Sequence, residues 1–143
     1  MNKDYDKIVL PVDGSEKSYK AAEKAMFLAK NLNLDVLAIY VLDKGIYETV
    51  VPANKSFEHW KSILAEEGHE VLNKIVKIGK SNNINIKTLM LRGKPDTELL
   101  KNIKENDLVI MGSKGKNSLD RIFLGSTTEK VMHHSDTTVM VVK

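Results

Sequence analysis

The apolar positions of this chain keep two alternating rhythms. Residues 137–142 predict a final strand, and short, nearly unbroken apolar runs occur at residues 7–13, 34–42 and 107–111. Such runs fit strands covered on both faces. Pro11 lacks a ladder donor and so belongs near the end of its strand. Residues 84–91 alternate at first, which predicts a strand with a partly exposed face or an edge position. Between these runs the period lengthens to that of a helix. Ser15 is a good N-cap and Glu16 suits a first turn. Ala21, Ala22, Ala25, Met26, Leu28, Ala29 and Leu32 then recur at helical spacing until Asn31 to Asn33 ends the segment. Residues 56–82 predict a long amphipathic helix. Its stripe is Phe57, Trp60, Ile63, Leu64, Val71, Leu72, Ile75, Val76 and Ile78, with Glu66, Glu67 and the lysines on the solvated face. Gly68 weakens it locally. Residues 96–104 and 126–134 predict two short helices, the first entered through Pro95. Residues 43–55 show no period and hold Gly45 and Pro52. A loop this long marks a mobile or functional segment.

Strands alternating with helices imply α/β architecture: an open five-stranded parallel sheet, right-handed crossovers and helices on both faces. The chain, residues 1–143, reads as one domain, large enough to bury its own core. An apolar content of 42% and a charged content of 29% fit a soluble globular protein. The net charge of +3 favours an anionic ligand but falls short of a nucleic-acid-binding surface. There is no cysteine, which excludes disulfides and thiolate chemistry and fits a reducing compartment. No apolar run approaches membrane length, and the first residues are too polar for a signal peptide. A cytoplasmic protein without nucleic-acid or membrane partners is expected.

The candidate chemistry centres on Met111, Gly112, Ser113, Lys114 and Gly115, followed by Gly125, Ser126, Thr127 and Thr128. The glycines are spaced G-x2-G-x9-G-S directly after an apolar strand, and Ser126 opens a helical segment. Glycines let amides approach an anion, and a helix start adds free N–H groups and a favourable dipole. Lys114 and Lys116 add positive charge. The spacing is neither a Walker A loop nor a dinucleotide fingerprint. The residues also allow a plainer role. Ser126 and Glu129 form S-x-x-E, a capping box that needs no ligand. Asp13 likewise stands at the carboxyl end of the first strand, where open sheets bind ligands, yet it could simply cap the turn that follows.

The segment from Val109 to Val142, with its glycine pattern and Ser126, is similar to the ATP-binding branch of the universal stress protein family. Pro11, Val12, Asp13, Gly14 and Ser15 resemble that family's first-strand motif. The resemblance covers nearly the whole chain and is weakest across residues 43–55. It implies sheet order 3-2-1-4-5, a Rossmann-like fold of the adenine nucleotide alpha hydrolase type. It implies ATP as ligand, with Asp13 against the adenosine part and the main chain of Val41 against adenine. Phosphates would meet Gly115, Gly125, Ser126 and Thr127, with Gly112 and Ser113 near the ribose. Mg or Mn, where bound, would be held mainly by phosphates and water. The resemblance also implies a homodimer through strand residues 138–142, an apolar edge without a charged guard.

Of the four histidines, His133 and His134 are adjacent near a helix C-terminus and point in different directions, which speaks against a protein metal site. No carboxylate pair near the glycine loop offers a dedicated acid and base. The expected function is a nucleotide-dependent regulatory or switch module in stress response, working with an unknown protein partner. A slow ATPase or phosphoryl-transfer enzyme is the alternative, and a nucleotide-free scaffold ranks last.

Overall fold

The computed structural model describes residues 4–46, 57–115 and 124–143. Its elements are β1 (Lys7–Pro11), α1 (Glu16–Leu32), β2 (Val36–Asp43), α2 (Phe57–Ser81), β3 (Ile86–Gly93), α3 (Pro95–Asn102), β4 (Asp107–Gly112), α4 (Ser126–His134) and β5 (Thr138–Val142). The sheet has five strands in the order β3-β2-β1-β4-β5, and every neighbouring pair is parallel. The central strands carry the unbroken apolar runs, because both of their faces are covered. Ile8, Val9 and Leu10 of β1 are fully buried. The alternating strand β3 lies at an edge with a mixed burial pattern, as its period predicts.

Alternate residues of each central strand feed two cores. On one face, α1 and α2 press Ala21, Ala22, Ala25, Val71, Leu72 and Ile75 against Ile8, Leu10, Ala38, Tyr40 and Ile110. On the other, Leu99 of α3 and Val131 of α4 meet Val9, Ile39, Val109 and Met111. Each of the buried Val, Leu, Ile and Met side chains contributes roughly 1.5–3 kcal/mol on burial. Asn33 ends α1 in the left-handed conformation, φ 54°. Pro95 sits at the start of α3, where its missing N–H costs nothing.

At the amino ends of the strands, Lys7 Nζ donates to Asp107 Oδ1 at 2.8 Å, and the amide of Lys104 donates to Asp107 Oδ2 at 2.8 Å. Thr137 Oγ1 donates to the Asp107 carbonyl. The Asp107 side chain is fully buried, so these bonds compensate its desolvation and hold β1, β4 and β5 in register.

Two expectations from the pattern change here. Residues 44–46 are helical where loop is predicted, while residues 47–55 and Lys116 lie outside the described residues, as do the side chains of Phe57 and Trp60. Ile63 is 42% exposed and leaves the apolar stripe, because it stands about 100° round the helix from Leu64.

Candidate functional site

β1 sits between β2 and β4, so the connections from the carboxyl ends of these strands leave in different directions and open a crevice. A cavity of about 540 Å³ occupies it, a size that suits a small-molecule ligand. Pro11, Val12, Asp13, Val41, Met111, Gly112, Lys114, Gly115, Gly125, Ser126, Thr127 and Thr128 all line it. Of the residues expected at the site, Ser113 alone does not. It is buried, its amide donates to Val142 O at 2.8 Å, and its carbonyl accepts from Gly125 N at 2.8 Å.

The turn after β1 satisfies itself. Asp13 Oδ1 accepts from Ser15 N at 2.9 Å, so the capping role is real. Ser15 is the N-cap of α1, and its Oγ accepts from Ser18 N at 3.1 Å. Asp13 nevertheless reaches the glycine loop with its other oxygen. A Cβ added at Gly115 would lie 2.8 Å from Asp13 Oδ2. Burial, and then the Asp13 charge, raise the Tyr19 phenol above its ordinary value of 10.0.

The end of β2 offers main chain. Val12 N donates to Ile39 O at 2.9 Å, which fixes the direction of Ile39 toward β1. In a parallel ladder alternate residues point the same way, so Val41 turns its N–H and C=O to that same side. β1 ends at Pro11, opposite Ile39, so this donor and acceptor face the cavity.

The end of β4 supplies a different chemistry. α4 begins at Ser126, and its N-cap is Gly125, which makes no side-chain cap bond. The expected capping box is therefore absent. The bond from Gly125 N to Ser113 O holds Gly125 as the last extended residue and moves Ser126 one place into the helix. Glu129 is then the fourth helical residue and faces His133 Nε2 at 3.8 Å. Thr128 Oγ1 donates to Gly112 O at 2.8 Å and ties α4 to the end of β4. Lys114 Nζ is buried and has no hydrogen-bond partner among the described residues.

The signature glycines also have packing roles. A Cβ on Gly112 would lie 2.9 Å from the Lys17 main-chain carbon, so α1 closes on β4 only over a glycine. A Cβ on Gly125 would lie 3.2 Å from Lys114 Cα. The donor set fits an anion all the same: an ammonium without a partner among the described residues, an N-terminus without a side-chain cap, and glycine where Cβ atoms would fill the space.

The cavity also has walls that the sequence pattern did not single out. Leu64, Leu99 and Ile46 add apolar lining, and Glu67 lines it half-buried, not on the solvated face. Position 67 follows Leu64 by three residues and precedes Val71 by four, so helical spacing could have shown that it turns inward. Among the described residues no group of three or more His, Cys, Asp or Glu is placed to hold a metal, and no helix is long and apolar enough to cross a membrane.

Comparison with known proteins places this arrangement. The model of the universal stress protein family matches residues 4–143. Universal stress protein MJ0531 of Methanocaldococcus jannaschii is 41% identical over 141 residues, covering 97% of this chain and 82% of that protein. The solved structure of MJ0577, from the same organism, is 30% identical with a TM-score of 0.84 and covers 98% of this chain and 96% of that one. The universal stress protein UspA from Lactobacillus plantarum, 25% identical, has a TM-score of 0.82 over 99% of this chain and 100% of its own.

Proposed function

The chain belongs to the universal stress protein family, and we propose that it binds ATP and acts in the cytoplasm as a nucleotide-dependent regulatory module in stress response. The observation that carries this function lies at one end of the cavity. There the N-terminus of α4 has no side-chain cap, its N-cap Gly125 lies against the main chain of Lys114, and Lys114 Nζ is buried without a partner among the described residues. Both features suit a polyanion.

Lys114 and the amides of Gly115, Ser126 and Thr127 meet the phosphates. Gly125 lets them approach, since its own amide is engaged by Ser113. Pro11, Val12 and Asp13 border the adenosine part, Gly112 lies toward the ribose, and Met111 and the main chain of Val41 meet adenine, while Ser113, buried off the cavity, acts through its backbone bonds to Gly125 and Val142. Thr128 acts through its bond to Gly112 O. Mg or Mn, when present, is held mainly by the phosphates and water. Residues 1–143 act as one domain. Among the described residues no positioned base stands out for activating water, and slow or absent hydrolysis, below about 1 s⁻¹, is expected.

A regulatory module needs a route from ligand to assembly. The loop that meets the phosphates is bonded to the edge strand, through Gly125 N to Ser113 O and Ser113 N to Val142 O. β5 is the proposed homodimer edge, where two copies pair antiparallel. Val141→Pro, folded by circular dichroism, should be monomeric by light scattering, whereas a wild type that stays monomeric at high micromolar concentration removes the dimer. The test of the function itself is mass spectrometry of nucleotide released from purified protein, with calorimetry of added ATP. ATP is expected in both. Protein that carries none and binds none overturns the function.

A further inference from the structure

We propose that the outer edge of β3 is a docking site for an extended acidic segment of a partner protein, which adds to the sheet as a further strand. The proposal does not rest on ATP binding.

The positive charge of the chain gathers toward this edge. Lys74, Lys77, Lys80, Lys87, Arg92 and Lys94 fall within residues 71–95, which contain no Asp or Glu. The whole chain carries only +3, so the remainder is net acidic. All of these cations are exposed, and none makes an ion pair with a described residue. Lys74 turns away to Tyr19 of α1, with Nζ 5.7 Å from the ring centroid. Lys77 and Lys80 lie in the last turns of α2, whose Gly79 packs on Ile86 of β3. Lys87 and Arg92 belong to β3 itself, and Lys94 follows it directly. Glu98 of α3 meets this strand at Gly93, but it is paired with Lys101 at 3.2 Å.

The strand also has an open side. β3 ends the sheet, and no described residue pairs with its outer edge. Asn85 O accepts from Val36 N at 3.2 Å, so the odd-numbered residues of this strand face β2. In a parallel ladder the even-numbered ones then turn N–H and C=O outward, at Ile86, Thr88, Met90 and Arg92. These groups repeat at the spacing of an extended polypeptide, which favours a peptide over a nucleic acid. Side chains alternate as well. Ile86 and Met90 join one core and Leu89 and Leu91 the other, so Lys87 and Arg92 stand on opposite faces of the edge. Cations on both faces repel a second copy of β3, because like charges on facing strands destabilise the pair, and they attract an acidic strand. β5, the other edge, has no charged residue over residues 138–142. The two edges thus select different occupants, a second copy of the chain at β5 and an acidic segment at β3.

The test is fluorescence anisotropy of a labelled Val- and Thr-rich peptide of about eight residues, a common strand length, with Glu on both faces, against its Lys counterpart. The Glu peptide should bind about 10-fold or more tightly than the Lys peptide. Lys87→Glu combined with Arg92→Glu should reverse that preference. Thr88→Pro removes an outward amide without touching the ladder to β2. It should weaken the Glu peptide by about 10-fold or more with the circular dichroism spectrum unchanged. If Thr88→Pro unfolds the chain, the charge reversal decides alone. Equal binding of both peptides, binding of neither, or a preference unmoved by the charge reversal overturns the proposal, and binding of neither leaves the cations as guards of a bare edge. A single-stranded oligonucleotide that binds more tightly than the Glu peptide and ignores Thr88→Pro overturns it in favour of nucleic acid.

Discussion

Two helices begin beside the same cavity and are capped in opposite ways. α1 is closed by its own residues. Asp13 takes the Ser15 amide, Ser15 Oγ takes the Ser18 amide, and Ser18 Oγ donates back to Ser15 O at 2.9 Å. α4 starts at a glycine N-cap with no side-chain bond, and Lys114, whose main chain lies against that glycine, has its Nζ buried without a partner among the described residues. A helix N-terminus carries orphan donors and partial positive charge, and both must be satisfied by something. α1 satisfies them internally, which makes its turn a structural joint. α4 leaves them to water or to an anion. On the proposed function, the difference singles out the α4 border of the cavity as the one that meets a ligand's charge.

That contrast can be broken most strongly at Gly125. Gly125→Asp would give α4 a carboxylate cap and place negative charge where phosphate is proposed. ATP affinity should fall by about 100-fold or more, as two charge-assisted bonds are lost, while the melting temperature holds. Gly125→Ala is the steric control, because its Cβ must fit 3.2 Å from Lys114 Cα. If both variants lose the same affinity, sterics explain the loss.

Lys114→Met comes next. Removing a buried ammonium that has no partner among the described residues should leave the free protein as stable or more stable, while ATP binding weakens by about 10-fold or more. Thermal melts with and without ATP separate the two effects. An unchanged shift of the melt by ATP would take Lys114 out of the site.

Ser15→Ala is the reverse experiment on α1. It should cost about 0.5–2 kcal/mol of stability in denaturant unfolding and leave ATP affinity of the folded protein untouched. Ser126→Ala should show the opposite split, with a small loss of affinity and little loss of stability, because Ser126 is not the N-cap. The smallest effect concerns Tyr19. Asp13→Asn should lower the phenol's titration midpoint in an ultraviolet pH titration, since the Asp13 charge is the second cause of its rise after burial. The sign follows from linkage. A phenol raised in the folded state stabilises the fold below its unfolded value, and that stability is lost as pH climbs through the folded one.

Much of the fold was legible in the sequence. Unbroken apolar runs marked β1, β2 and β4, the alternating run marked the edge strand β3, and Ser15 and Pro95 marked two helix starts at or within a residue. These are local signals, decided by side-chain period and capping chemistry. Strand order needed the family resemblance, since nothing local makes β1 and β4 neighbours; the Lys7–Asp107 pair that helps to join them spans 100 residues. The site was less legible where tertiary contacts override local pattern. The S-x-x-E at Ser126 looked like a capping box until the bond from Gly125 to Ser113 shifted the helix start. Gly112 looked like a phosphate glycine, and the approach of Lys17 gives it a packing role too. Glu67 looked solvated because it is charged and follows Glu66, although its helical spacing from Leu64 and Val71 already puts it on the inward side of α2.

The contrast between the two helix starts is tested most directly by backbone amide shifts recorded by NMR while ATP is titrated into the protein. The amides of Gly115, Ser126 and Thr127 should move with a common saturation curve, while those of Ser15 and Ser18, already held by side chains of their own turn, should move far less. Shifts concentrated at Ser15 and Ser18, or no saturable shift at Ser126 and Thr127, would contradict the account.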